Sequence, residues 1–179
     1  DEAEEVERRS RELVERAKTE IEKLDRESKR LVDTVARKIE EVDKRSEELV
    51  RTVEELRRRG DAREEKIKKV IEDSKELVRK LKEIVKKVIR EIEKLNDELN
   101  KEVERLSKES EDLLKKLRED GILREEVEKE NRELNRRLKE ALDESNKRNR
   151  TLLEDLRRKL RESEERNRRL LRKLEEDAR

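Results

Sequence analysis

The chain has 179 residues, of which 60% are charged and 28% hydrophobic, with a formal net charge of +1. Near-neutral charge argues against both a disordered polyelectrolyte and a nucleic-acid binder, since no segment forms a basic arm and no aromatic residue is present to stack on bases. Cys, His, Met, Phe, Tyr, Trp and Pro are all missing, which removes disulfides, thiol nucleophiles, imidazole bases and the commonest metal ligands together.

The first element opens on "DEAEEVERR", which is acidic where a signal peptide would be basic and then apolar; no targeting signal is expected. With no helix breaker before Gly60, a helix is predicted over residues 2–59. The basic run Arg57 to Arg59 favours the negative end of its dipole. Gly60 is read as the left-handed residue that ends the helix. Asp61 then caps a second helix over residues 62–119, with Glu64 at the capping-box position. Gly121 ends that helix. A third is predicted over residues 122–178, with Ile122 or Leu123 packing over the turn in place of a polar cap. Turns this short make neighbouring helices antiparallel, so the expected fold is all-α: an up-down-up three-helix bundle forming a single domain over residues 1–179. Each helix should run about 85–90 Å at ~1.5 Å per residue.

Apolar positions recur every eighteen residues. Val6, Leu24 and Val42 share a column, as do Leu13, Leu31 and Leu49 in the first helix. Leu77, Leu95 and Leu113 do so in the second, and Leu138, Leu156 and Leu174 in the third. Eighteen residues make five turns at 3.6 per turn, so the repeat suits straight helices with little supercoil. On a helical wheel the stripes span about 100°, 140° and 120° in chain order, widths that suit one shared core. No apolar run is long enough to span a membrane, and the aromatic anchors of a membrane-surface helix are missing.

Polar residues interrupt the stripes at the same interval: Ser10, Ser28 and Ser46 in the first helix, Ser74 and Ser110 in the second, and Asn131, Asn149 and Asn167 in the third. Folding the chain at its two glycines places these residues at common heights. Ser10, Ser110 and Asn131 form one layer, and Ser46, Ser74 and Asn167 a second. The middle layer reads Ser28, Ile92, Asn149. Ser and Asn can satisfy each other across a core, and a shifted register would strand them at about 1–3 kcal/mol per group. The layers are therefore read as structural groups that fix register, as a buried Asn does in a coiled coil. Asn96 and Ser145 also share a height and are expected to form a peripheral pair. A Ser with neither His nor another base beside it has nothing to activate it, so no catalytic, cofactor or metal site is expected.

Matching columns, two Gly turns, equal helices and polar layers, with phrases such as "RESKRLVD", resemble the de novo designed straight helical bundles with buried hydrogen-bond networks. The likeness covers the whole chain, as a style and not as a homologous family. It implies a hyperstable, soluble, monomeric scaffold with no natural enzyme activity, required partner or cellular address, and melting above about 90 °C. The alternative is a helix-mediated interaction module, an oligomer component or a switch or cage-type binder. The broad stripe of the second helix, with Ile71, Ile84 and Ile89, would then meet another chain.

Overall fold

A computed structural model describes residues 1–177. It is an all-α, antiparallel up-down-up three-helix bundle, made of α1 (Glu2–Arg58), α2 (Glu64–Glu119) and α3 (Glu125–Asp177). The expected last helical position, Ala178, lies outside the described residues.

Both turns close in the same way. Gly60 and Gly121 each have φ of 73°. The Gly60 amide donates to the Arg57 carbonyl at 3.1 Å, and the Asp61 amide to the Leu56 carbonyl at 2.9 Å. The Gly121 amide donates to Arg118 and the Ile122 amide to Leu117, at 3.0 and 3.1 Å. This pair of bonds is the Schellman arrangement, and it satisfies carbonyls that a helix end would otherwise leave open. A Cβ built on Gly121 meets nothing within 4 Å, so only its backbone conformation opposes substitution. Gly121→Ala should therefore cost about 1–2 kcal/mol, the left-handed penalty of an L-residue, as read from the shift in a guanidinium unfolding midpoint.

The helix starts differ from the sequence expectation. α2 begins at Glu64 rather than 62, and α3 at Glu125 rather than 122. The closing motif of each preceding helix uses the residues just after the glycine. The first carbonyls to accept helical bonds are those of Arg63 and Arg124, which receive the amides of Ile67 and Glu128. Asp61 does not cap α2. Its carboxylate instead meets Lys66 Nζ at 3.1 Å and Arg63 Nε at 3.6 Å. Ile122 is exposed at 49%, and Leu123 is half-buried. Glu64 and Glu65 stand in the first turn of α2, and Lys116 and Arg118 in its last, both favourable to the helix dipole.

The described residues fall into two compact units. The first comprises Asp1–Lys29 and Glu91–Thr151. Its core is built from Val14, Ala17 and Ile21 of α1, Leu99, Val103 and Leu106 of α2, and Leu138 and Leu142 of α3. The second comprises Arg30–Arg90 and the described residues from Leu152 onward. Its core includes Val50 and Val53 of α1, Ile67 of α2, and Leu171 and Leu174 of α3. These are the columns in which the sequence repeats its apolar residues. Burying one such side chain is worth roughly 1.5–3 kcal/mol.

The outer faces carry forks of Glu, Arg and Glu at i, i+3 and i+7. Arg79 is held between Glu76 and Glu83, Arg105 between Glu102 and Glu109, and Arg136 between Glu133 and Glu140. The hydrogen bond from each Arg holds Glu76, Glu102 and Glu133 below the usual carboxylate range. All three forks face water, where such pairs contribute little to stability.

Candidate functional site: polar residues inside the bundle

Ser10, Ser28, Ser46, Ser74, Ser110, Asn131, Asn149 and Asn167 are all buried, at 5% exposure or less. What each one touches differs from layer to layer.

In the first unit, Ser10, Ser110 and Asn131 meet across all three helices. The hydroxyls of Ser10 and Ser110 lie 2.6 Å apart. Each also lies 3.0 Å from the other residue's backbone carbonyl. Asn131 Oδ1 stands 3.3 Å from Ser10 Oγ and 3.2 Å from Ser110 Oγ. Two hydroxyl protons thus face several acceptors, and every oxygen in the set has a partner. The cluster continues beyond the expected residues. Asn135 Nδ2 donates to the Asn131 carbonyl at 3.0 Å, and Ser107 Oγ donates to Asn135 Oδ1 at 2.7 Å. Neither Ser107 nor Asn135 figured in the sequence expectation. The signal was present: Ser107 shares its column with Ile71 and Ile89, and Asn135 with Leu153 and Leu171. Each polar residue stands once where its column is otherwise apolar, so no repeat drew attention to it.

The other two sets are not joined. Ser28, Ile92 and Asn149 share a layer, but Ile92 offers Ser28 no polar atom, and among the described residues Ser28 Oγ has no hydrogen-bond partner. Asn149 Nδ2 donates instead to Asn96 Oδ1 at 3.3 Å, leaving Asn149 Oδ1 without one. In the second unit Asn167 Nδ2 turns back along its own helix to the Ser163 carbonyl, at 2.8 Å. Ser46 Oγ and Asn167 Oδ1 have no partner among the described residues. The expected pairing of Asn96 with Ser145 is not made either. Asn96 is taken by Asn149, and Ser145 donates to an acid on α1.

That acid belongs to a second polar system between α1 and α3. Ser145 Oγ donates to Asp25 Oδ1 at 2.6 Å, and Arg148 Nη2 lies 2.7 Å from Asp25 Oδ2. Eighteen residues on, Ser163 Oγ and Arg166 Nη2 each lie 2.5 Å from the Asp43 carboxylate. Eighteen residues before Asp25 stands Glu7, 3% exposed, whose carboxylate accepts from Arg124 Nη2 at 2.7 Å. The bond to Glu7 raises the pKa of the Arg124 guanidinium further above its ordinary value. Each of these charges faces an opposite charge, as partly buried ions require.

Among the described residues no group of three His, Cys, Asp or Glu side chains is placed to hold a metal ion. No helix among them is long and apolar enough to cross a membrane. An open groove of about 620 Å³ runs beside Ile67 and Ile71 near the first turn.

No protein-family model matches the chain, and no curated protein does. Among solved structures, the chain is similar to a computationally designed three-helix bundle, with 22% identity over 97% of this chain and 81% of that one and a TM-score of 0.55. At that identity the likeness speaks for the three-helix fold.

Proposed function

We propose that the chain is a designed scaffold: a single rigid, monomeric, highly stable three-helix bundle over residues 1–179, with no natural biochemical activity. Its polar core residues serve to fix the register of the helices. The observation that carries this reading is the Ser10, Ser110 and Asn131 cluster, in which each of the three helices contributes a hydrogen-bonding group at one height. Sliding any helix by one turn would part these groups and cost about 1–3 kcal/mol for each one stranded. The fold shared with a designed three-helix bundle supports the same origin. The reading of an interaction module has less support. The wide apolar stripe of α2 is largely turned inward, and Ile122 is the one exposed large hydrophobic residue among those described.

The test is association. The parent should scatter as a monomeric rod about 85–90 Å long, from ~1.5 Å of rise per helical residue. Replacing Asn131, Asn149 and Asn167 together by Leu should keep or raise stability but admit shifted and intermolecular pairings. Size-exclusion with light scattering should then show dimers or mixed states where the parent gives one mass. A triple variant as cleanly monomeric as the parent would remove the role proposed for these residues.

A further inference from the structure

A three-helix bundle of this topology can be built in two ways. Seen down α1, the chain turns through α2 to α3 either clockwise or anticlockwise. Layers at the centre of each stripe do not distinguish the two orders, because a central residue meets both neighbours in either. Residues at the stripe edges do, because each edge of α1 faces α2 in one order and α3 in the other.

We infer that the acidic line Glu7, Asp25 and Asp43 on α1, received by Arg124, Ser145, Arg148, Ser163 and Arg166 on α3, selects the helix order. The three acids are spaced by eighteen residues and so lie along one line of the helix. In the first unit Glu7 and Asp25 are bound by α3, and in the second Asp43 is. The opposite edge of α1 faces α2. In the first unit Glu20, Lys23 and Leu24 line a groove whose far wall is Leu95, Glu98 and Leu99. The edge of α1 that faces α3 thus repeats a carboxylate bound across the interface every eighteen residues, whereas on the edge that faces α2 Glu20 and Glu27 lie in a groove whose far wall carries Glu98 and Glu102 and no cation.

The edge of α2 that would meet the acids in the opposite order is also identifiable. It is the edge now facing α3, where Asn96 accepts from Asn149 and Leu114 lines a groove with Asn131 and Asn135. Val78, Asn96 and Leu114 share that line of α2, again at intervals of eighteen. Taking Ser10 level with Ser110, they stand within a residue of the heights of Asp43, Asp25 and Glu7. In the opposite order three partly buried carboxylates would therefore face two aliphatic side chains and an amide; the nearest cations of that edge, Lys82 and Arg118, stand one turn away and are now paired with Glu164 and Glu128 of α3. Ser145 and Ser163, both at 0% exposure, would lose their acceptors on α1 at the same time. The structure's order satisfies all of these groups together. This inference needs the three-helix fold and its register, but not the role proposed for the Asn layers in setting that register.

The chain contains no Cys, so a reporter pair is simple to install. Nitroxides attached through Lys23→Cys and Glu98→Cys face each other across the groove between α1 and α2. They would lie on opposite sides of the bundle in the reversed order. Dipolar EPR should give one short distance in the otherwise unchanged protein. With Glu7→Leu, Asp25→Leu, Asp43→Leu, Ser145→Ala and Ser163→Ala added, the protein should stay helical and gain a second, longer population comparable to the first. A single unshifted distance in that helical variant would overturn the inference. A charge exchange covers the case in which the apolar variant aggregates. Asp25→Arg with Asp43→Arg should broaden or split the distance, and adding Arg148→Asp with Arg166→Asp should restore it. If the first pair leaves the distance unchanged, or the second fails to restore it, the acidic line does not choose the order. The triple Asn→Leu variant keeps all three acids and their Arg and Ser partners, although Asn167 also bonds the Ser163 carbonyl, and it is read by mass and not by the label distance. Its outcome is therefore separable from this one.

Discussion

The Ser10→Cys/Ser110→Cys variant should oxidise to one intramolecular disulfide and gain roughly 2–4 kcal/mol over its own reduced form. The hydroxyls lie 2.6 Å apart, and the two residues are 100 apart in sequence. Replacing oxygen by sulfur at that separation asks for a small closure to the S–S bond length of about 2.05 Å. Cross-linking a loop of this size removes up to about 4.7 kcal/mol of unfolded-state freedom in the chain-entropy view, and strain in the native geometry takes part of it back. The reduced variant should be less stable than the parent, because a thiol is a weak donor and the cluster around Asn131 loses bonds worth about 1 kcal/mol each. Oxidation should therefore reverse the sign of the effect. Guanidinium unfolding of the oxidised and reduced forms, with thiol titration to confirm closure, measures both quantities. A pair that stays reduced under mild oxidant would mean that α1 and α2 do not approach each other here as described.

The amount of this arrangement legible in the sequence follows from how many residues state it. The three helices are declared by long uninterrupted apolar columns and by two glycines, each at a position where only the left-handed conformation closes the helix. That signal is repeated along the chain and survives local exceptions. Helix starts are stated by one or two side chains only. Asp61 has a capping residue's chemistry, but the turn bonds of Gly60 and Asp61 place it outside the helix, where Lys66 takes its carboxylate. The heights of the polar residues follow from counting back from the turns. Their partners do not, because a hydrogen bond depends on tenths of an ångström and on rotamer. Ser28 and Ser10 occupy equivalent columns, yet one has three nearby oxygens and the other has none. The acids at 7, 25 and 43 were hidden for a different reason. In a chain with 53 Asp and Glu, an acidic column reads as solvated surface until its partners Ser145 and Ser163 are seen to be buried.

That contrast between equivalent serines yields the second large effect, a difference of sign. Ser10, Ser28 and Ser46 are equally buried, at 1% exposure or less, and all sit inside α1. Changing each to Ala brings the same gain in helix propensity, about half a kcal/mol, and removes one oxygen in each case. At position 10 that oxygen has Ser110 and Asn131 as neighbours. Its loss forfeits bonds of about 1 kcal/mol and leaves Asn131 Oδ1 leaning on Ser110 alone. At positions 28 and 46 the oxygen is buried without a partner among the described residues, so its removal relieves a desolvation cost of about 1–3 kcal/mol. Ser28→Ala and Ser46→Ala should therefore each raise stability by roughly 1–2 kcal/mol, while Ser10→Ala should leave it unchanged or lower it by about 1 kcal/mol. The propensity gain cancels in the comparison, so the gap between the two groups isolates the hydrogen bonds. Guanidinium midpoints of the three variants at a common m-value give that gap directly. Three equal shifts would show that the Ser10 cluster contributes no more than an unpaired hydroxyl does, and the first layer would lose its claim to hold the helices in register.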